Sequence, residues 1–228
     1  FCLMQGRGDR RSNKSDIRPE HNNARYLDSV WQTAVEWFKP YANLIFCIGY
    51  GNHETAIIKW QETDVLRNFV NALNTEAGTN IQLGGYGGWC IYTLETTKTM
   101  RVSFNHKYFH GSGGGGIVTK GAINLTRALE TYENYDLFSM GHIHENWARN
   151  DYRDTLVSSG KNQKLIQRHI HSAITGTYKE EYGTGAKGWH VERGAPIKHI
   201  GGRIAKLTTI EKSREMVKQV SSDLFPLL

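Results

Sequence analysis

Two short apolar runs each break at a glycine and hand over directly to side chains that can bind metal. Leu44-Ile45-Phe46-Cys47-Ile48 leads into Gly51-Asn52-His53-Glu54, and Leu137-Phe138-Ser139-Met140 leads into Gly141-His142-Ile143-His144. Runs of this length bounded by turn signals read as buried strands. The chain is therefore expected to present both motifs from strand ends. Gly51 permits the backbone angles of a sharp turn. Asn52 offers an uncharged oxygen ligand, His53 can deliver a proton, and Glu54 can orient His53. The same residues also suit the opening of a helix, with Asn52 as its N-cap. His142 and His144 lie two apart and on an extended strand would project from one face.

The remaining pattern places these motifs in an α/β chain. Leu27, Val30, Trp31, Ala34, Val35 and Phe38 have helical spacing within 22–38, and Lys39-Pro40 stops them. Residues 55–73 repeat that period. Strands are expected at 1–4, 44–48, 89–94, 100–104 (with Tyr108-Phe109 continuing it) and 136–140, and a helix at 122–132. Beyond these, short strands are expected at 155–157, 169–174 and 203–207, and a helix or frayed tail at 210–224. No repeat or linker marks a boundary, so 1–228 reads as one domain. Strands alternating with helices and then a run of strands suggest an α/β sandwich.

Composition limits the function classes. No apolar stretch approaches the roughly twenty residues that span a bilayer, which argues against a membrane partner. Of the three cysteines, Cys47 and Cys90 sit in apolar, strand-like runs, the pattern of reduced thiols in a cytoplasmic protein. The net charge of +6 and pI near 9.2 suit polyanionic partners, nucleic acid among them, although mild basicity is usually a solvated surface.

Hydrolysis at phosphorus needs hydroxide at neutral pH and charge neutralisation on the phosphoryl oxygens, and a pair of metal ions supplies both. Between the two motifs, His110-Gly111 offers a further imidazole at a strand end, with His106 a competitor that spacing does not exclude. His169 and His171 lack a strand-to-turn setting and read as ordinary.

Asn52-His53-Glu54, His110 and His142-x-His144, in this order, resemble the calcineurin-like metallophosphoesterase family. Its pattern runs Asp-x-His, Gly-Asp, Gly-Asn-His-(Asp/Glu), His, Gly-His-x-His. The resemblance covers about residues 1–147. The glycine-rich stretch from His110 to Gly116 and Thr175-Gly176-Thr177-Tyr178 are similar to phage and bacterial members. The resemblance implies a four-layer α/β/β/α sandwich and two divalent ions, with manganese, iron, zinc or nickel as candidates. It implies that Asn52, His110 and His142 bind one metal and His144 the other, while His53 protonates the leaving oxygen or stabilises the transition state, oriented by Glu54. The bridging carboxylate matches Asp9 of Gly8-Asp9; alternatively Gln5-Gly6-Arg7 is the remnant of that motif, leaving Asp9 or Asp16 in the loop. The Asp-x-His element is expected upstream of Phe1, so this stretch is read as N-terminally incomplete and is expected to hold one metal better than two, with weak activity or none by itself.

The function implied is a phosphoester hydrolase, foremost a phosphodiesterase with nucleic acid as a candidate substrate, attacking in line with a metal-bridging hydroxide. A phosphomonoesterase or protein phosphatase shares the motifs. A non-catalytic scaffold that has lost a metal site is the alternative of a different class. Oligomeric state is open.

Overall fold

Leu27, Val30, Trp31 and Val35 form the inward stripe of helix α1 (Tyr26–Phe38) in the computed structural model, which describes residues 17–160, 162–179, 189–192, 194–212 and 215–226. The expected strand at 1–4, Cys2, Asp9 and Asp16 lie outside the described residues. By contact the chain divides into two compact units, Phe1–Gly88 and Trp89–Leu228.

In the first unit, α1 packs on α3 (Val65–Ala77) through Val35, Leu66, Phe69, Val70 and Leu73. The single helix expected over 55–73 is two, because α2 (Asn52–Gln61) ends where Glu62 turns left-handed at φ 52°. Asp64 then opens α3 by accepting from the Arg67 N–H at 3.0 Å. The Tyr50 hydroxyl donates to the same carboxylate at 2.7 Å; burial and that bond push its pKa up to about 12. Tyr50 follows β1 (Cys47–Ile48) closely, so this bond ties the strand exit to the start of α3. β1 pairs in parallel with β2 (Gln82–Leu83), which is too short to show a periodicity in sequence.

The second unit is built on a five-stranded mixed sheet. Its strands are β3 (Gly87–Glu95), β4 (Arg101–Phe109), β5 (Leu137–Met140), β6 (Asn146–Ser159) and β7 (Asn162–Thr175), in the order β3-β4-β5-β7-β6. β4, β5 and β7 run parallel, with β6 antiparallel to β7. Helix α4 (Ala122–Leu129) covers one face with Leu125 and Leu129 against Phe138, Met140, Ile170 and Ile174. The hairpin of β8 (Gly201–Lys212) and β9 (Glu215–Pro226) brings Leu207, Met216 and Val220 against Val102, Phe104 and Leu137. Leu137 and Phe138 thus serve different cores, as the alternation of a strand requires.

Two expectations are corrected here. The short strands at 155–157, 169–174 and 203–207 are parts of long ones, and 210–224 is neither helix nor tail but lies mostly in β9. Met216, Lys218, Val220 and Ser222 are the less exposed positions of β9, a period of two. Two of the four are polar, which hides that period from a hydrophobic reading. Their partners are in the sheet: Lys218 Nζ meets Asp136 Oδ2 at 2.9 Å, and Ser222 Oγ lies 2.7 Å from His171 Nε2. Asp136 also accepts from the Asn105 N–H at 2.8 Å and pairs with Arg168. A buried carboxylate with three donors is satisfied, and breaking the set would leave charge stranded.

Cys47 and Cys90 are free thiols, Cys90 buried and Cys47 half-buried. Among the described residues no helix is long and apolar enough to cross a membrane.

Candidate metal centre

Asn52, His53 and Glu54 form the first turn of α2, after Gly51 in extended backbone at φ −110°. The helix therefore begins at the motif itself, one residue earlier in role than an Asn52 cap would place it. Glu54 is buried and its Oε2 accepts from the Gly51 N–H at 2.9 Å. This is the back-reaching half of a capping box, which satisfies an amide the helix leaves open. Structural and functional readings of Glu54 meet here: the bond that starts the helix also fixes the backbone carrying Asn52 and His53.

His110, His142 and His144 belong to the second unit. His110 follows β4 and Gly141 follows β5, and since these strands are parallel neighbours their C-terminal ends come together. His142 Nδ1 and His110 Nε2 lie 3.3 Å apart. Two nitrogens each about 2.0–2.1 Å from a shared ion would subtend about 107° at that spacing, a normal angle for a first-row metal. Burial lowers the pKa of His142, opposed by a hydrogen bond with the Gly113 backbone, and so favours the neutral ring that ligates metal. These two imidazoles fit a divalent ion as donors and in spacing. Among the described residues no three or more His, Cys, Asp or Glu side chains gather as a metal cage.

The second histidine motif is not an extended strand. Both His142 (φ 67°) and His144 (φ 58°) are left-handed, and the Ile143 N–H reaches back to the Gly141 carbonyl at 2.8 Å. Each such residue costs on the order of 1 kcal/mol and persists only where its surroundings enforce it. Ile143 is buried in the α4 core, which pins the middle of the turn while its histidines flank it.

The likeness singles out Thr175-Gly176 in the sequence, but not the contacts that support the turn. Thr175 Oγ1 donates to the Met140 carbonyl at 3.4 Å, the Gly176 N–H to the Glu145 carbonyl at 2.8 Å, and Lys198 pairs closely with Glu145. Thr175-Gly176 thus braces the histidine turn. A hydroxyl or amide aimed at a distant carbonyl leaves no periodic trace.

His106 is otherwise engaged. Its Nε2 lies 2.7 Å from Ser139 Oγ, its Nδ1 3.3 Å from the Tyr92 hydroxyl, and its ring stacks on Tyr92. Burial lowers its pKa from 6.5 to about 4. Above pH 6.5 neither the folded nor the unfolded chain protonates this ring. As pH falls from 6.5 towards 4 only the unfolded chain does, so stability falls by up to about 3 kcal/mol. Urea unfolding at pH 7.5 and 4.5 should show a loss that is smaller by that amount in His106→Gln. Equal losses in both proteins would refute the assignment. His169 and His171 share Asn150 Oδ1 and are likewise occupied, as expected of ordinary histidines.

Comparison with protein-family models, curated proteins and solved structures gives no match. The family likeness is carried by the motifs alone.

Proposed function

We propose that this protein is a metal-dependent phosphoester hydrolase of the calcineurin-like type, built on a four-layer α/β/β/α sandwich and directed at phosphodiesters. The observation that carries the reading is the facing pair His142 Nδ1 and His110 Nε2, 3.3 Å apart at the ends of two parallel strands. His110 and His142 would hold a divalent ion. When bound, such an ion supplies Lewis-acid charge neutralisation at phosphoryl oxygens and acidifies water.

The chain's own residues do the rest. Burial favours the neutral, ligating form of His142. The left-handed turn, locked by Ile143, holds both of its histidines in place before substrate arrives, so little reorganisation remains for the reaction. By their motif alone, His53 would be the proton donor to the leaving oxygen and Asn52 a metal ligand. The basic charge fits a polyanionic substrate.

The test is hydrolysis of bis-nitrophenyl phosphate with manganese, iron, zinc or nickel, together with metal analysis after gel filtration. Weak turnover that requires added metal, with one tightly held ion per chain, is expected. Absence of turnover with all four would overturn the hydrolase. Two tightly held ions would overturn the single-ion expectation. A second reading, a non-catalytic scaffold, is favoured by the lack of a cage of three or more such ligands among the described residues, and it expects no turnover.

A further inference from the structure

The charge of the chain is not shared between its units. Phe1–Gly88 has 9 lysines and arginines against 9 acidic residues, whereas Trp89–Leu228 has 19 against 13. The whole excess of +6 therefore lies in the unit that carries His110 and His142. That unit also contains the glycine-rich loop between β4 and α4, buried at Gly111 and Gly121 and mostly exposed between them.

Three contacts tie this loop to the histidine turn. A side chain on Gly111 would meet the Gly141 carbonyl at 2.7 Å, one on Gly115 would meet Ile143 Cγ2 at 3.0 Å, and Gly113 hydrogen-bonds His142. Beyond Gly116 the chain makes a tight turn, closed by the Lys120 N–H on the Gly116 carbonyl at 2.8 Å. The Lys120 carbonyl accepts from Trp147 Nε1 at 2.8 Å, which anchors the far side. On the crest stand Ile117, 63% exposed, Val118, 92% exposed, and the exposed side chain of Lys120. Two adjacent β-branched apolar side chains held in water on an anchored turn, beside a cation and a candidate phosphoester site, make a contact surface for something with apolar faces and negative charge.

We propose that residues 117–120 grip an unpaired nucleic-acid strand, with Ile117 and Val118 against base faces and Lys120 against a phosphate, beside His110 and His142. This rests on reading those histidines as part of a phosphodiester-cleaving centre, and it names the substrate class of that centre. An unpaired strand fits better than a duplex, because a duplex must unstack, at a few kcal/mol per step, before an aliphatic side chain meets a base face. Apolar contact with bases is tolerant of sequence, while each phosphate neutralised releases counterions and shows in the salt dependence.

The experiment is fluorescence anisotropy of a labelled mixed-sequence single strand with the full chain in EDTA, so that no turnover intervenes. Ile117→Ser/Val118→Ser should weaken binding about tenfold with the salt slope unchanged. Lys120→Gln should make the slope of log affinity against log salt shallower by about 0.7. Leu156→Ser, which changes another exposed apolar residue of the same unit on β6, should bind as the parent does. Unchanged affinity in the double variant, an equal loss in Leu156→Ser, or a duplex that competes as well as the single strand would each overturn the grip. Metal-dependent hydrolysis of bis-nitrophenyl phosphate by the unaltered chain is read separately. Its failure counts against the hydrolase alone, since the binding comparison does not depend on it.

Discussion

Replacing His53 by alanine is expected to lower kcat for phosphodiester hydrolysis by about a thousandfold for substrates with poor leaving groups, while metal content stays unchanged. The size follows from the role. Proton transfer to a departing oxygen contributes on the order of 10²–10⁴ in rate. A nitrophenolate leaves without much help, so the same variant should lose far less, on the order of tenfold, with bis-nitrophenyl phosphate. The contrast between substrates separates a proton donor from a residue that only supports the fold. His53 is half-buried on the first turn of α2, and the start of that turn is fixed by Glu54 through the Gly51 amide rather than by the imidazole. Removing the ring should therefore leave the helix intact. Equal losses with both substrates would exclude the proton-donor role, and a lowered unfolding midpoint would assign His53 to structure instead.

What could be read from the sequence was whatever writes a local pattern. The stripe of α1 and the passage from β5 into the second histidine motif are arrangements of neighbouring residues, whereas of the buried strand expected at 44–48 only Cys47–Ile48 forms and Leu44 and Phe46 are exposed. The break between α2 and α3 was missed because Glu62 and Asp64 act through a left-handed residue and a cap, both weaker than the helical period running through them. β9 was missed because Lys218 and Ser222 face inward to meet Asp136 and His171, groups far away in sequence. The left-handed histidines escaped for a related reason. Two-residue spacing implies one face only if the strand continues, and here the core claims Ile143 and forces the chain to turn around it. Where a residue's conformation is set by a distant partner, sequence offers candidates but not their geometry.

Gly111→Ala is expected to destabilise the fold by about 4 kcal/mol and to abolish metal-dependent hydrolysis, although Gly111 bears no functional group. Two costs combine. At φ 104° an L side chain is strained, at about 1–3 kcal/mol. The new methyl would also lie 2.7 Å from the Gly141 carbonyl and 3.0 Å from His142 Cβ, and overpacking of this kind costs about a further 1–3 kcal/mol. The first of these neighbours is backbone and cannot swing aside. It belongs to the turn that sets His142 opposite His110, so relief of the clash must open the 3.3 Å spacing of their nitrogens. Gly114→Ala serves as the comparison, since nothing lies within 4 Å of a side chain added there and its φ is not in the left-handed region. Urea unfolding and bound-metal analysis of both variants decide the matter. Loss of metal in Gly111→Ala at a temperature where it remains folded, with metal retained in Gly114→Ala, would show that the close approach of two glycine-bearing strand ends sets the spacing of the imidazoles. Full metal retention in a folded Gly111→Ala would refute that dependence.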